Sequence, residues 1–315
     1  MTDSEIRFGI SAPFTGPAKE LGQNMKIGIE AAFNVANAKG GVYGRQLQLI
    51  AADDGYEPTR TVTAMKELDE RDQVFGLIGN VGTPTAAVAL PYAVDRKMPF
   101  FGAFTGAGLL RNDPPDRGGS ASPILRLNYQ RNTIDVDDAV AQLRQNRGFP
   151  IKAVIMVPTY RAAAKFIEKT RDLYPDMIYT SVSFAGSTAL AEELMLLGKR
   201  YATGVIVTQV VPAVDGHSSL VLDYKSALAK YRPGQEPDYV SLEGYVDANV
   251  LIAALQRNGA ELDTQRLVGT LENIRDLDIG LGTPMTFSRS EHQGVHKVWG
   301  TQLDETGHYQ PIDLQ

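Results

Sequence analysis

The chain has no cysteine among its 315 residues. That absence removes disulfides, thiol nucleophiles and cysteine-ligated zinc centres together. It leaves the compartment open, since a chain without thiols suits oxidising and reducing surroundings alike. A basic excess is also missing: 31 Lys and Arg stand against 37 Asp and Glu, a formal charge of −6. This is the wrong sign for a surface built to neutralise nucleic-acid phosphates. No apolar run reaches the ~18 residues of a membrane helix, and the most hydrophobic stretch, Ala202 to Val214, is broken by Thr203, Gly204, Thr208, Gln209 and Pro212. The opening Met1-Thr2-Asp3-Ser4-Glu5 has neither the basic start nor the apolar centre of a signal peptide. Either the protein is cytosolic, or an export signal has been removed ahead of a start Met.

Familiar catalytic signatures are lacking as well. There is no Gly-x-Ser-x-Gly and no phosphate-binding loop of the Walker type. Gly106-Ala107-Gly108 runs into Leu109-Leu110-Arg111, so the third glycine of a dinucleotide fingerprint is absent. His292 and His296 are four apart but flank a turn, Gln293-Gly294-Val295, and no Glu follows the first His, so no metal site is expected. Asp135, Asp137 and Asp138 fall at a helix start, where carboxylates offset the helix dipole. Asp53-Asp54 ends a strand and is read as a turn pair. Neither a cofactor nor a catalytic residue is expected.

What is present is an ordinary globular composition, 43% hydrophobic and 22% charged, in a length that suits roughly two domains. Strand and helix signals alternate. Strand Ile6 to Ala12 precedes a helix from about Gln23 to Ala38, whose Met25, Ile29, Ala32, Phe33 and Ala36 share one face. Strand Leu47 to Ala51, helix Thr59 to Glu70, strand Val74 to Ile78, helix Pro84 to Val94 and strand Met98 to Ala103 follow. Such alternation implies a parallel sheet with right-handed crossovers. After a loop-like stretch, Arg111 to Pro123, it restarts: strand Ile124 to Leu127, helix Ile134 to Arg147, strand Ala153 to Val157, helix Ala162 to Leu173, strand Ile178 to Phe184, helix Ala189 to Leu197, strand Gly204 to Thr208 and helix Leu220 to Lys230. A long helix, Val240 to Arg257, a shorter one, Thr264 to Asn273, and strand-like pieces at Met285 to Phe287 and Val295 to Trp299 complete the chain. The expected fold is α/β, with two Rossmann-like lobes of parallel sheet joined by a multi-strand hinge. The first lobe is expected over residues 1–122 plus 246–298 and the second over 123–245 plus 299–315.

The informative signal lies at two strand-to-helix junctions of the first lobe. One runs Gly79-Asn80-Val81-Gly82 into Thr83-Pro84, the other Gly102-Ala103-Phe104-Thr105-Gly106. In an open parallel sheet both fall at the C-terminal strand edge, where ligands bind. Free backbone N–H groups, a positive helix end and a Thr hydroxyl together make a site for a small carboxylate. Thr83 and Thr105 can equally be read as helix caps; two such junctions on adjacent strands keep both readings open. From the second lobe, Pro158-Thr159-Tyr160, Gln209-Val210-Val211-Pro212, Glu243 and Tyr245 are candidates for an opposite wall.

Phe8-Gly9-Ile10, Phe14-Thr15-Gly16-Pro17, Ile29-Glu30-Ala31-Ala32, Asn37-Ala38-Lys39-Gly40-Gly41, Ala52-Asp53-Asp54 and Leu242-Glu243-Gly244-Tyr245 together resemble the type I periplasmic binding proteins. The branch is the one that includes the leucine/isoleucine/valine-binding proteins of ABC transporters. The resemblance implies two lobes that close by hinge motion over a small ligand, an extracytoplasmic location, and a membrane permease as partner. It makes Thr83, with backbone groups of Phe104, Thr105 and Gly106, the holder of a ligand carboxylate. Leu21 stands where relatives place an aromatic contact, and Tyr160 and Tyr245 resemble cleft-lining aromatics. The acidic residue that pairs with an amino acid's ammonium lies in a stretch this chain lacks; Glu243 is the nearest substitute, and Val210 stands near an expected Tyr. Tyr56 and Gly82 occupy the approximate positions of a disulfide found in some relatives. The ligand is therefore expected to be an aliphatic amino acid or an aliphatic or aromatic acid. A sensor domain of the same fold, cut from a membrane receptor, and an α/β enzyme acting on a small acid are the alternatives.

Overall fold

A computed structural model describes residues 2–110 and 124–314; the expected loop from Arg111 to Pro123 lies outside them. The chain opens with β1 (Glu5–Ala12), α1 (Lys19–Ala38), β2 (Gln46–Asp53), α2 (Pro58–Lys66), β3 (Gly76–Ile78), α3 (Thr83–Asp95) and β4 (Phe100–Phe101). It continues through α4 (Asp137–Gln145), β5 (Ala153–Met156), α5 (Tyr160–Thr170), β6 (Ile178–Val182), α6 (Ser187–Leu197), α7 (Lys199–Ala202) and β7 (Ile206–Gln209). Next come α8 (Ser219–Tyr231), α9 (Tyr239–Asn258), α10 (Thr264–Glu272), β8 (Trp299–Leu303) and β9 (Tyr309–Ile312). Among the described residues no helix is long and apolar enough to cross a membrane.

The chain divides into two compact units, Met1–Asn112 with Val211–Lys297 and Asp113–Val210 with Val298–Gln315. In the first, the strands run parallel in the order β2-β1-β3-β4. β1 is buried on both faces, as a central parallel strand must be. Below the sheet, Met65 and Leu68 pack with Ala52, Leu77, Ala89 and Ala93. On the other side α1 carries α8 and α9. α1 and α9 approach so closely that a Cβ on Gly28 would stand 1.7 Å from the Ser241 carbonyl oxygen, and one on Gly244 would stand 2.5 Å from that of Met25. Only glycine permits that spacing.

In the second unit the order is β5-β6-β7-β8-β9, with β5 to β7 parallel and β8 and β9 antiparallel. Helices α5 and α6 share one face of this sheet. There the Thr170 hydroxyl of α5 lies 2.9 Å from the Tyr179 hydroxyl, and Ser187 of α6 donates to Gln209 at 3.0 Å. On the opposite face Ile155 is 76% exposed and Ile178 50%.

Several boundaries differ from expectation. Residues 211–245 sit with the first unit, because Leu220, Tyr224, Leu242 and Tyr245 bury themselves in the α1–α8–α9 packing. Ile124 to Leu127 forms no strand: the edge strands of the second sheet are β5 and β9, neither pairs with it, and Ile124 is 68% exposed. Met285 makes only an isolated bridge with Leu277. β8 begins at Trp299, where the Val295 to Trp299 segment was expected to end, and a hairpin turn at Asp304 leads into β9, for which no strand was expected.

Candidate functional site

The site is built at the C-terminal ends of β3 and β4. After β3, Gly79 (φ 75°) and Gly82 (φ 101°) take left-handed conformations that favour glycine. Gly82 also receives the ring of Tyr56: a Cβ there would stand 2.1 Å from Tyr56 Cε2. The ladder between the turns continues past the strands, with Phe104 N–H donating to the Asn80 carbonyl at 2.8 Å and Gly82 N–H to that of Phe104 at 3.0 Å. This pairing sets the two junctions side by side.

Thr83 does not cap its helix. The N-cap of α3 is Gly82, and no side chain supplies a capping bond. The Thr83 hydroxyl instead lies 2.7 Å from the Thr105 hydroxyl. Thr105 also accepts from the Ala107 N–H at 3.2 Å, and a 3₁₀ turn, Gly108–Leu110, follows it. Thr85, buried one residue beyond Pro84, donates to the Gly82 carbonyl at 2.9 Å. The first-turn N–H groups of Thr83 and Thr85 have no acceptor among the described residues. Two adjacent hydroxyls and the positive end of a 13-residue helix thus face outward together. That arrangement suits an anion with two oxygens.

The other expected site residues are dispersed. Phe104 is 2% exposed and its N–H and carbonyl are both engaged in the ladder, so it positions the turn, while Gly106 is exposed with open space beside it. Leu21 on α1 is fully buried and presents no surface. Tyr245 is a core residue of the first unit, its ring 5.5 Å from that of Tyr224 and its phenol pushed up to about 12 by burial. Tyr160 opens α5 and is buried, and Val210 is exposed just after β7, both in the second unit. Glu243 is partly buried on α9 in the first unit. Desolvation, reinforced by the charge of Asp247, raises its carboxyl well above the usual range.

Asp247 is the residue the sequence reading missed. Desolvation pushes its carboxyl up to about 7. A Cβ on Gly102, at the start of the second junction, would stand 2.7 Å from its Cγ and Oδ2. The available signal was the four-residue spacing from Glu243 together with Gly102 in the strand-end turn. Nearby, Asp53 holds the β1–α1 loop, accepting from the Phe14 N–H at 2.9 Å, the Thr15 hydroxyl at 2.6 Å and Arg60 at 2.8 Å. Burial raises its carboxyl, but these hydrogen bonds outweigh that and bring it down to about 2. His292 and His296 each face a Glu, Glu272 at 3.3 Å and Glu291 at 3.8 Å, and the described residues contain no cluster of three or more metal-ligating side chains.

Comparison with known proteins gives a consistent picture. A family model described as periplasmic binding protein matches residues 5–123 and 118–308. Leu/Ile/Val-binding protein homolog 7 of Brucella melitensis is 28% identical over 226 residues, 71% of this chain and 50% of that protein. The match thus spans about half the length of that curated relative. A possible leucine/isoleucine/valine-binding protein from Rhodopirellula baltica SH 1 has a solved structure with a TM-score of 0.90 and 34% identity, covering 98% of this chain and 96% of its own. The substrate-binding protein LivJ of Streptococcus pneumoniae, solved with isoleucine, shares the fold at a TM-score of 0.80 and 14% identity, over 98% of this chain and 99% of its own.

Proposed function

The chain belongs to the periplasmic binding protein family, in its Leu/Ile/Val-binding-like branch, and from that membership we propose that it captures a small carboxylate ligand for an ABC transporter. The observation that carries the reading is the pair of outward-facing hydroxyls of Thr83 and Thr105, 2.7 Å apart beside the α3 N-terminus. Each hydroxyl donates to one carboxylate oxygen, and the Thr83 and Thr85 amides complete the anion's coordination. Capture draws the two units together, and the membrane permease reads the liganded form. Capture and delivery take place outside the cytoplasm. The proposed role is binding, with no bond made or broken in the ligand.

Branched-chain amino acids head the list of ligands because relatives in this branch are described as binding leucine, isoleucine or valine. Aliphatic and aromatic acids without an ammonium group follow, since Thr83 and Thr105 address only the carboxylate. A thermal-shift screen with both sets tests this, because a ligand that binds the folded protein raises its apparent stability by mass action. At least one carboxylate is expected to raise the midpoint, while its primary amide does not. A flat response to the whole panel would reject the reading.

A further inference from the structure

Glu243 and Asp247 are two half-buried carboxyl groups of the first unit. They stand one helical turn apart on α9, the i,i+4 spacing that places side chains side by side. Neither carboxylate has an ion-pair or hydrogen-bond partner among the described residues. Asp247 rests on Gly102, whose left-handed φ of 55° and lack of a side chain make room for the carboxyl group. Gly102 is three residues from Thr105, a separation of at most ~11 Å along the backbone. Asp247 thus rests against the turn that carries Thr105, and a charge bound at that turn acts on it through the protein interior.

Among the described residues, the cations on the surrounding elements are engaged elsewhere or distant. The segment from Pro99 to Gly106, including β4, has no titratable residue. On α1, Lys26 is paired with Glu30 at 2.6 Å, Glu30 also with Arg232, and Lys19 with Glu20 at 3.8 Å. On α8, Asp223 acts on Tyr245, Lys225 is bound to the Gly216 carbonyl at 3.2 Å, and Lys230 lies over the Tyr231 ring. On α10, Arg266 is held by Glu261 and Asp263, and Glu272 faces Arg289 and His292. Arg257 of α9 lies ten residues beyond Asp247, ~15 Å along the helix. Two neighbouring carboxylates without a counter-ion do not both ionise readily, and they retain one proton between them.

We propose that Glu243 and Asp247 form a proton-holding pair, so that a ligand whose only charge is its carboxylate is captured with a proton kept on the pair. This rests on the carboxylate-capture reading above. By linkage, anion binding strengthens proton retention, and loss of the proton weakens anion binding by the same factor. An ammonium group on the ligand reverses the sign, because it favours the ionised pair.

The test has two arms. In the ligand-free protein, ¹³C carboxyl titration by NMR is expected to show a carboxyl of the pair keeping its proton until near pH 7. Ordinary titration of both below pH 5 overturns the proposal. In calorimetry, the affinity of 4-methylpentanoate is expected to fall up to about tenfold between pH 6 and pH 8, while that of leucine rises. Asp247→Asn flattens both slopes, and Glu243→Gln serves as the second variant if the first unfolds. Affinities that are independent of pH, or slopes unchanged in the variants, overturn the linkage. If neither probe binds at any pH, the linkage is rejected, the capture reading stands or falls on the thermal-shift panel, and the carbon titration still decides whether the pair holds a proton.

Discussion

The site rests on where a few polar atoms point. Thr83 lies one residue inside α3, with Gly82 taking the capping position, so its hydroxyl has no structural duty to the helix. Thr83→Ala is therefore expected to weaken ligand binding by about 1–3 kcal/mol, the range for a hydrogen bond to a charged oxygen. The urea midpoint should barely move. Titration calorimetry beside an unfolding curve checks both halves, and an equal loss of stability would assign the hydroxyl to the fold. The placement of Thr83 and Thr105 at neighbouring strand ends was legible in the sequence, because a hydroxyl and a glycine turn after an apolar strand mark the strand edge. Asp247 was not, since acidic residues four apart on a helix ordinarily read as a solvated face. Its contact with Gly102 joins positions 145 residues apart, and no local pattern records it.

At the scale of elements, most strands and helices could be read from apolar periodicity, and the errors fall where periodicity is weak. α1 begins at Lys19, a turn before its regular apolar stripe, because its first turn is partly polar. β9 is only four residues long and runs buried, exposed, exposed, half-buried, with no alternation to identify it. The close α1–α9 contact yields a direct expectation: Gly28→Ala forces a Cβ into the Ser241 carbonyl and should destabilise by at least the ~1–3 kcal/mol typical of overpacking. Urea denaturation checks it, and an unchanged midpoint would mean the helices separate freely.

The same helix gives a stability–pH expectation. Asp247 is raised from an ordinary carboxylate value to about 7 in the folded protein, so folding favours its neutral form. That contribution is complete below pH ~4 and is lost as pH rises through 7. Unfolding midpoints should show Asp247→Asn gaining stability over the parent at pH 8 but not at pH 4. An equal difference at both values would contradict the raised ionisation.

For the whole molecule, alternating strands and helices made the α/β class and a two-unit division readable. The assignment of residues 211–245 was not readable, because α8 and α9 find their partner in α1, about two hundred residues earlier. Ligand capture is expected to reduce the radius of gyration in small-angle scattering, and identical ligand-free and liganded curves would exclude closure. The most direct measurement is a crystal structure with a bound carboxylate found by the thermal-shift screen. The carboxylate oxygens should lie within ~2.6–3.2 Å of the Thr83 and Thr105 hydroxyls. A ligand anchored elsewhere, with those two hydroxyls still bonded to each other, would contradict the proposed site.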